Sequence, residues 1–276
     1  MSAKKRATRT GPTFRTELKR RANDLGVPSE DLDRALIIGQ VAGLLIKEGA
    51  LKGKLAHKGA AILRLVDHSQ RLSRDLDSAD IRGQRVTARA IDRALSTAEA
   101  KKVVLKVTPN RPGQNSISFL VECRRFAGGT TLPITITINW SEPFILPVVM
   151  GDYLLPNGTP IKVPIMQAVE RAAEKVRAFL TRGEAADAYD LWWYWNRVLT
   201  TIDREKLPSL IRRKLVSSAR RIPGADDLHV RFDEMRASAH DEWTTGQGLV
   251  LSGRKPDWKD VDAALLKSKA RTPGKT

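Results

Sequence analysis

A chain of 276 residues that is 41% hydrophobic is long and apolar enough to bury a sizeable core, which excludes disorder over most of its length. Lys and Arg number 48 against 31 Asp and Glu, a net charge of +17. Such an excess points to polyanionic partners (nucleic acid, nucleotides or anionic lipid), with plain solubility as the alternative.

Residues 1–12 read as a basic, flexible arm, and no apolar stretch follows the positive residues as a secretory signal would require. A short helix is expected after Pro12. In the next helix Ser29 can cap, Glu30, Asp31 and Asp33 favour the positive end, and Ile37, Val41, Leu44 and Leu45 share one face. Residues 53–67, GKLAHKGAAILRLVD, read as a short strand, a turn at Gly59 and a helical apolar run. The stretch 70–80, QRLSRDLDSAD, is strand-like, and 85–100 reads as a helix.

The middle is β-rich: 101–109, 116–126 and 132–140 read as strands. The last alternates Ile134, Ile136 and Ile138 with Thr135 and Thr137. Residues 151–164 look like a turn-rich connection. From Pro164 the pattern turns helical, with a proline near the start of 164–183 and Gly183 just past its end. Further helices are expected in 184–200 and 204–221, and the tail 267–276 is basic and reads as disordered. The expected fold is α/β (α+β). A mixed-sheet domain (13–160) is followed by a helical domain (161–250), between the basic arm (1–12) and a basic tail (251–276).

The single cysteine, Cys123, lies in a strand-like run and reads as a buried small apolar residue, so no internal disulfide forms. No Cys/His spacing suits zinc, and the four scattered histidines read as structural or solvated. No run reaches the roughly 18 apolar residues of a membrane span. A cytoplasmic protein with no membrane partner is therefore expected.

Three aspartates and two arginines crowd residues 70–80 of this basic chain. In a strand, residues two apart share a face, so Asp75 and Asp77 would point the same way while Leu76 enters the core. They are either solvated acids or a site for Mg²⁺, which takes one or two carboxylates plus substrate phosphates. Upstream, the Gly59 turn has backbone N–H groups that can hold phosphate. Arg71, Ser73 and Arg74 can also bond phosphate oxygens.

The segment KGAAILRLVDHSQRLSRDLDSADI (58–81) resembles the first motif of the AbiEii-type (AbiEii/AbiGii) nucleotidyltransferase toxins, and the chain is similar to the mycobacterial MenT toxins. That motif runs Gly-Gly-Ser/Thr, a helix, then Arg-x-Ser-x-Asp-Leu-Asp; Gly59, Arg71, Ser73, Asp75, Leu76 and Asp77 match it. The segment VERAAEKVRAFLTRGEAADAYDLWWYW (169–195) resembles the second, an Ala-Glu-Lys-x-Arg-Ala helix followed by Arg-Asp-x-Tyr-Asp-Leu. Lys175, Arg177, Asp187, Tyr189, Asp190 and Leu191 carry that match. Three departures stand out. Ala60-Ala61 replaces the Gly-Ser/Thr, Ala186 replaces the arginine, and the strand at 132–140 offers Thr137 and Asn139 where many nucleotidyltransferases place a third carboxylate.

The resemblance implies a nucleotidyltransferase-like fold and a metal-dependent enzyme acting on an NTP, with Mg²⁺ or Mn²⁺ as cofactor. Asp75 and Asp77 would hold the metal, Lys175 would contact nucleotide phosphates, and Asp190 would complete the catalytic set. Gly59, Arg71 and Ser73 would bind substrate. The implied partners are tRNA or another RNA, modified at its 3′ end so that translation stops, and a cognate antitoxin. Two alternatives remain open: nucleotidylation of a protein, or RNA binding on a decayed fold. The LWWYW run (191–195) is read as helix-packing core, with base stacking as the other possibility.

Overall fold

The computed structural model describes residues 12–47, 51–81, 86–110, 113, 115–140, 144–154, 160–217, 222, 227–246, 249 and 251–274. The expected basic arm lies, up to residue 11, outside them; Pro12 already opens the first helix.

Helices α1 (Pro12–Asp24) and α2 (Ser29–Lys47) lead into β1 (Leu55–Lys58), α3 (Gly59–Leu65), β2 (Asp75–Asp80) and α4 (Ala88–Leu95). Strands β3 (Val104–Pro109), β4 (Ser116–Cys123), β5 (Leu132–Asn139), β6 (Val149–Leu154) and β7 (Pro160–Ile165) follow. Helices α5 (Ala168–Arg182), α6 (Ala185–Trp193), α7 (Thr201–Ser217), α8 (Leu228–Thr245) and α9 (Trp258–Lys269) complete the chain, with a π-helical turn at Tyr194–Val198. The seven strands form one mixed sheet in the order β3-β4-β5-β2-β1-β7-β6. β2 runs parallel to β5 and β1 parallel to β7, and the other pairs are antiparallel.

The sheet's apolar face follows from its β-branched alternation. Ile134, Ile136 and Ile138 of β5 and Ile117, Phe119 and Val121 of β4 point inward onto Ile37, Val41 and Leu45 of α2. Each such side chain taken wholly out of water stabilises the fold by about 2 kcal/mol. The opposite side chains of β4 and β5, Ser118, Leu120, Thr135 and Thr137, stay partly or largely exposed. A second core fills the helices, where Val176, Phe179, Tyr189, Leu191, Ile211 and Phe232 are buried together. Within it Trp193, Tyr194 and Trp195 pack as core, as read from the sequence. Helix α3 joins the two cores, giving Ala61 to the first and Leu63 to the second.

Three elements differ from expectation. Of residues 151–164, read as a turn-rich connection, the described ones, 151–154 and 160–164, lie in the antiparallel strands β6 and β7, with Gly151 paired to Val163 and Tyr153 to Ile161. Their Gly and Pro content hid an apolar alternation at Ile161, Val163 and Ile165. The sheet thus continues through Ile165, past the boundary expected at residue 160, and Pro164 lies in β7 rather than opening a helix. The tail is the third difference. Helix α9 buries Val261, Ala264, Leu265 and Ser268, a spacing of three and four that puts them on one face against the helical core. Leu228 N–H also donates to the Gly274 carbonyl at 3.0 Å. Basic composition masked this amphipathic face.

Asp33 also does more than favour a helix end. It is buried and accepts from Phe126 N–H (3.0 Å), Ala127 N–H (3.1 Å) and Arg125 Nε (3.3 Å), tying α2 to the β4–β5 turn. His57 is buried, with Nδ1 2.8 Å from Ser78 Oγ, and burial pulls its pKa down to about 4, so it is neutral and structural. Cys123 is free and buried, as expected.

Candidate active site

Strand β1 ends at Lys58, which lies opposite Asp77 of β2 in the antiparallel register. Gly59 then turns the chain at φ 74°, a conformation that favours glycine. A Cβ there would come within 2.6 Å of Asp77 Oδ2, so the turn packs directly on that carboxylate and leaves no room for a side chain. Leu76 is fully buried between Asp75, which is exposed, and Asp77, which is half-buried, as strand alternation requires. Ser73 Oγ lies 2.9 Å from the Asp75 carbonyl and 3.1 Å from Asp75 Oδ1, and donates to them. Burial first, and the charge of Asp75 second, push the Asp77 carboxyl up to about 6, against the pull of Lys58 and Lys175.

Across from the strand, α5 and α6 carry a second set of charges. Gly183, at φ 64°, ends α5 and lets α6 turn back against it. Lys175 Nζ reaches Asp190 Oδ2 at 2.8 Å and Asp187 Oδ1 at 3.0 Å, and both carboxylates are fully buried. Arg182 bonds Asp187 through Nε at 2.6 Å and a second guanidinium nitrogen at 2.9 Å. Arg71 reaches back from the β2 approach to Asp190 Oδ2 at 3.3 Å. Burial would push Asp187 up, but Lys175 and Arg182 outweigh it and hold the carboxyl well below the usual range. Burial likewise opposes the charge on Lys175, and Asp190 and Asp187 more than restore it. Asp190 Oδ1 is buried with no hydrogen-bond partner among the described residues.

The seven residues expected to bind or catalyse thus fall in two adjoining clusters. Asp75, Asp77, Ser73 and Gly59 form one, and Lys175, Asp190 and Arg71 the other; Asp77 feels the charge of Lys175. Sequence reasoning passed over a third group. Lys58 Nζ lies 3.2 Å from Glu174, and the buried Lys214 lies 3.1 Å from Glu174 and 2.6 Å from Glu170. Glu170 accepts from Ile145 N–H (2.8 Å) and Leu146 N–H (2.9 Å). Burial raises Glu174, yet Lys58, Lys214 and Arg177 bring it down to about 2. The only hint in the sequence was the four-residue spacing of Glu170 and Glu174, which looks like a solvated helix face.

The C-terminal segment braces the loop before β2. Leu251 bridges Arg71, Ser252 N–H donates to the Gln70 carbonyl at 2.8 Å, and Arg64 contacts Ser252 Oγ at 2.9 Å.

These motifs and their spacing agree with a match to the family profile described as nucleotidyl transferase AbiEii toxin, type IV toxin–antitoxin system, over residues 44–267. The chain belongs to the AbiEii nucleotidyltransferase toxin family. No curated protein matched it. Among solved structures it is similar to MenT4, a nucleotidyltransferase toxin of Mycobacterium tuberculosis H37Rv, with TM-score 0.55 and 18% identity over 91% of this chain and 98% of that one. It is also similar to a proposed nucleotidyltransferase from H. pylori, with TM-score 0.52 and 13% identity over 87% of this chain and 93% of that one. Both share its fold. Membership of a toxin–antitoxin family implies an antitoxin partner and an NTP substrate.

The AbiEii family also implies a divalent metal, and the acid pair fits one. Two carboxylates share a face, and the half-buried one is pushed toward protonation by burial first and by its neighbour's charge second, a repulsion that a cation would relieve. No group of three or more His, Cys, Asp or Glu side chains suited to a metal occurs among the described residues. At the neighbouring strand position the register sets Thr137 beside Asp77. Asp190, the other candidate for a third ligand, is taken up by Lys175 and Arg71. No described helix is long and apolar enough to cross a membrane.

Proposed function

We propose that this AbiEii-family protein transfers a nucleotidyl group from an NTP to the 3′ end of an RNA, with a tRNA acceptor as the expected target, and so blocks translation in the cytoplasm. The observation that carries this reading is the meeting of a repelling acid pair, Asp75 and Asp77, with a lysine held charged inside the fold, Lys175. An acid pair suits Mg²⁺ or Mn²⁺, and a fixed ammonium beside it suits the phosphates that such a metal also binds.

In the transfer, the acceptor oxygen forms a bond to the α-phosphorus, the α–β phosphate bond breaks, the hydroxyl proton passes to solvent and pyrophosphate leaves. Asp75 and Asp77 would hold the divalent ion, which when bound neutralises phosphate charge and favours attack. Lys175 faces the charge that builds on the departing pyrophosphate. Asp187 and Asp190 keep its ammonium charged and aimed, which a lone lysine in low dielectric could not sustain. Arg71 couples the strand to this cluster through Asp190, Ser73 fixes the Asp75 carboxylate, and Gly59 lets the backbone approach Asp77. Lys58 lies where it would add positive charge on the same side.

The test is labelling. Purified protein is incubated with total tRNA, Mg²⁺ and each labelled NTP in turn. Label should enter RNA and fall by about 10²–10³-fold in Lys175→Ala, with comparable loss in Asp75→Ala. Label on protein instead of RNA would replace the acceptor in this reading. Salt-sensitive RNA binding without any labelling would leave a binding protein on a decayed fold.

A further inference from the structure

An open groove of about 580 Å³ lies beside the acid pair, reaching Thr135, the register partner of Asp75, and is used by none of the roles above. One wall is Pro28, just before α2, with Glu30, Asp31 and Arg34 of α2. The other is Arg74, Leu120, Pro133 and Thr135. The register explains its position. Asp75 pairs with Thr135, and Thr135 pairs with Leu120, so these three side chains form a row on the face opposite the core. Pro133 precedes Thr135 by two residues on the same face of β5, and Leu120 is exposed at 38% while Ile117, Phe119 and Val121 of its own strand turn inward. Arg74 stands at the mouth, exposed beside Asp75, with no ion pair among the described residues. The groove's acids are already engaged: Arg34 holds Glu30 at 2.7 Å and Asp31 at 2.8 Å.

We infer that this groove seats the 3′-terminal nucleotides of the acceptor RNA, with Arg74 on a backbone phosphate and Leu120 and Pro133 beneath a base. The inference rests on the proposed function and adds the acceptor's place to it. Charge decides between the two substrates. A triphosphate needs several cations around three phosphates, and Lys58, opposite Asp77 on β1, lies on the other side of β2 from the groove. The groove instead offers one uncompensated guanidinium beside apolar plates, which matches a single-stranded chain with one charge per nucleotide. Thr135, with Leu120 beside it on one strand and Asp75 on the other, provides a hydroxyl for a ribose. A terminal nucleotide lying along this row brings its 3′-hydroxyl to Asp75.

The test measures binding of a fluorescent single-stranded RNA with a free 3′-hydroxyl across a salt series, beside Mg–NTP binding, for wild type, Arg74→Ala and Leu120→Asp. Arg74→Ala should flatten the salt dependence of log affinity by about 0.7. Leu120→Asp should weaken RNA binding about tenfold by removing the base contact. NTP affinity should be unchanged in both, and the RNA KM in the labelling assay should rise while kcat at saturating RNA holds. Both side chains are exposed, and Arg74→Ala alone carries the test if Leu120→Asp fails to fold. Unchanged RNA affinity and salt slope in Arg74→Ala, or a loss of NTP affinity in place of RNA affinity, overturns the inference. If no NTP labels RNA yet binding depends on Arg74, the transferase reading fails and the groove stands. If RNA is labelled with an unaltered RNA KM in both variants, the groove fails and the transferase reading stands.

Discussion

Two carboxylate clusters face each other in this protein, and folding has treated them oppositely. On α6, Asp187 and Asp190 are fully buried, and Lys175, Arg182 and Arg71 close around them. On β2, Asp75 and Asp77 are less buried yet less compensated, and Asp77 is pushed up to about 6 while Asp187 is pulled down. Burial pushes both Asp77 and Asp187 up; whether partners outweigh it sets where each carboxylate ends. On the proposed reading the α6 cluster is scaffolding that the chain completes for itself, and the β2 pair is left for a metal and a phosphate to complete.

The largest effect expected on stability tests the first half of that contrast. Lys175→Met leaves Asp190 with only the 3.3 Å contact to Arg71 and strips Asp187 of one of its two cations. Removing one partner from a buried charge network costs about 3 kcal/mol. Urea denaturation should show that loss, and Asp190→Asn placed in the Lys175→Met background should recover part of it. A cost under about 1 kcal/mol, without recovery, would mean that the cluster is wetter and weaker than its burial suggests. The network has its own pH signature. The Asp187 carboxyl is depressed, so its stabilisation is present above the unfolded pKa of 3.8 and is lost as pH falls below it. Glu174, brought down to about 2, behaves likewise below 4.5.

The second half of the contrast predicts a smaller change of opposite sign. In the metal-free protein Asp77 titrates near 6 when folded and near 3.8 when unfolded. Its ionisation costs nothing below the lower value, grows between the two, and is complete above the higher. Asp77→Asn should therefore stabilise the metal-free protein at pH 7.5, by about 1–2 kcal/mol after discounting for partial exposure, and hardly at all at pH 4. Comparing variant with wild type at each pH cancels other titrating groups, His57 among them, since its depressed pKa destabilises the fold as pH falls below 6.5. Mg²⁺ should raise the Tm of wild type but not of the variant. A variant that is less stable at pH 7.5 would show that Lys58 and Lys175 already satisfy Asp77.

How these two clusters could be seen in advance differs as well. The β2 pair was legible because strand period alone places Asp75 and Asp77 on one face, and because the Gly59 turn and the Arg71–Ser73 approach stand beside it in sequence. Lys175 and Asp190 were legible only through the family resemblance; by composition they look like surface charges on amphipathic helices. Lys58, Glu174, Lys214 and Glu170 escaped notice because their partners lie far apart in the chain, with Lys58 and Glu174 separated by 116 residues. The fold shows the same division. Ile134, Ile136 and Ile138 announced β5, whereas the β6–β7 pair hid behind prolines and α9 behind lysines, since each is decided by a partner surface that only the folded chain provides.

The smallest predicted effect separates the two cations that share Asp187. Arg182 makes the shorter contacts, at 2.6 and 2.9 Å, but its side chain is 46% exposed, against 12% for Lys175. If distance governed, Arg182→Ala would be the more damaging change. If dielectric governs, the exposed guanidinium contributes only about 0.2–1 kcal/mol, because water screens it and its freedom is lost in making the pair. Asp187 keeps Lys175 in this variant, so no uncompensated buried charge is left behind. Urea denaturation of Arg182→Ala should accordingly show under 1 kcal/mol, well below Lys175→Met. The two costs coming out equal would make Arg182 an equal neutraliser of the α6 cluster, and Lys175 would then be freer to face a phosphate than its own two contacts imply.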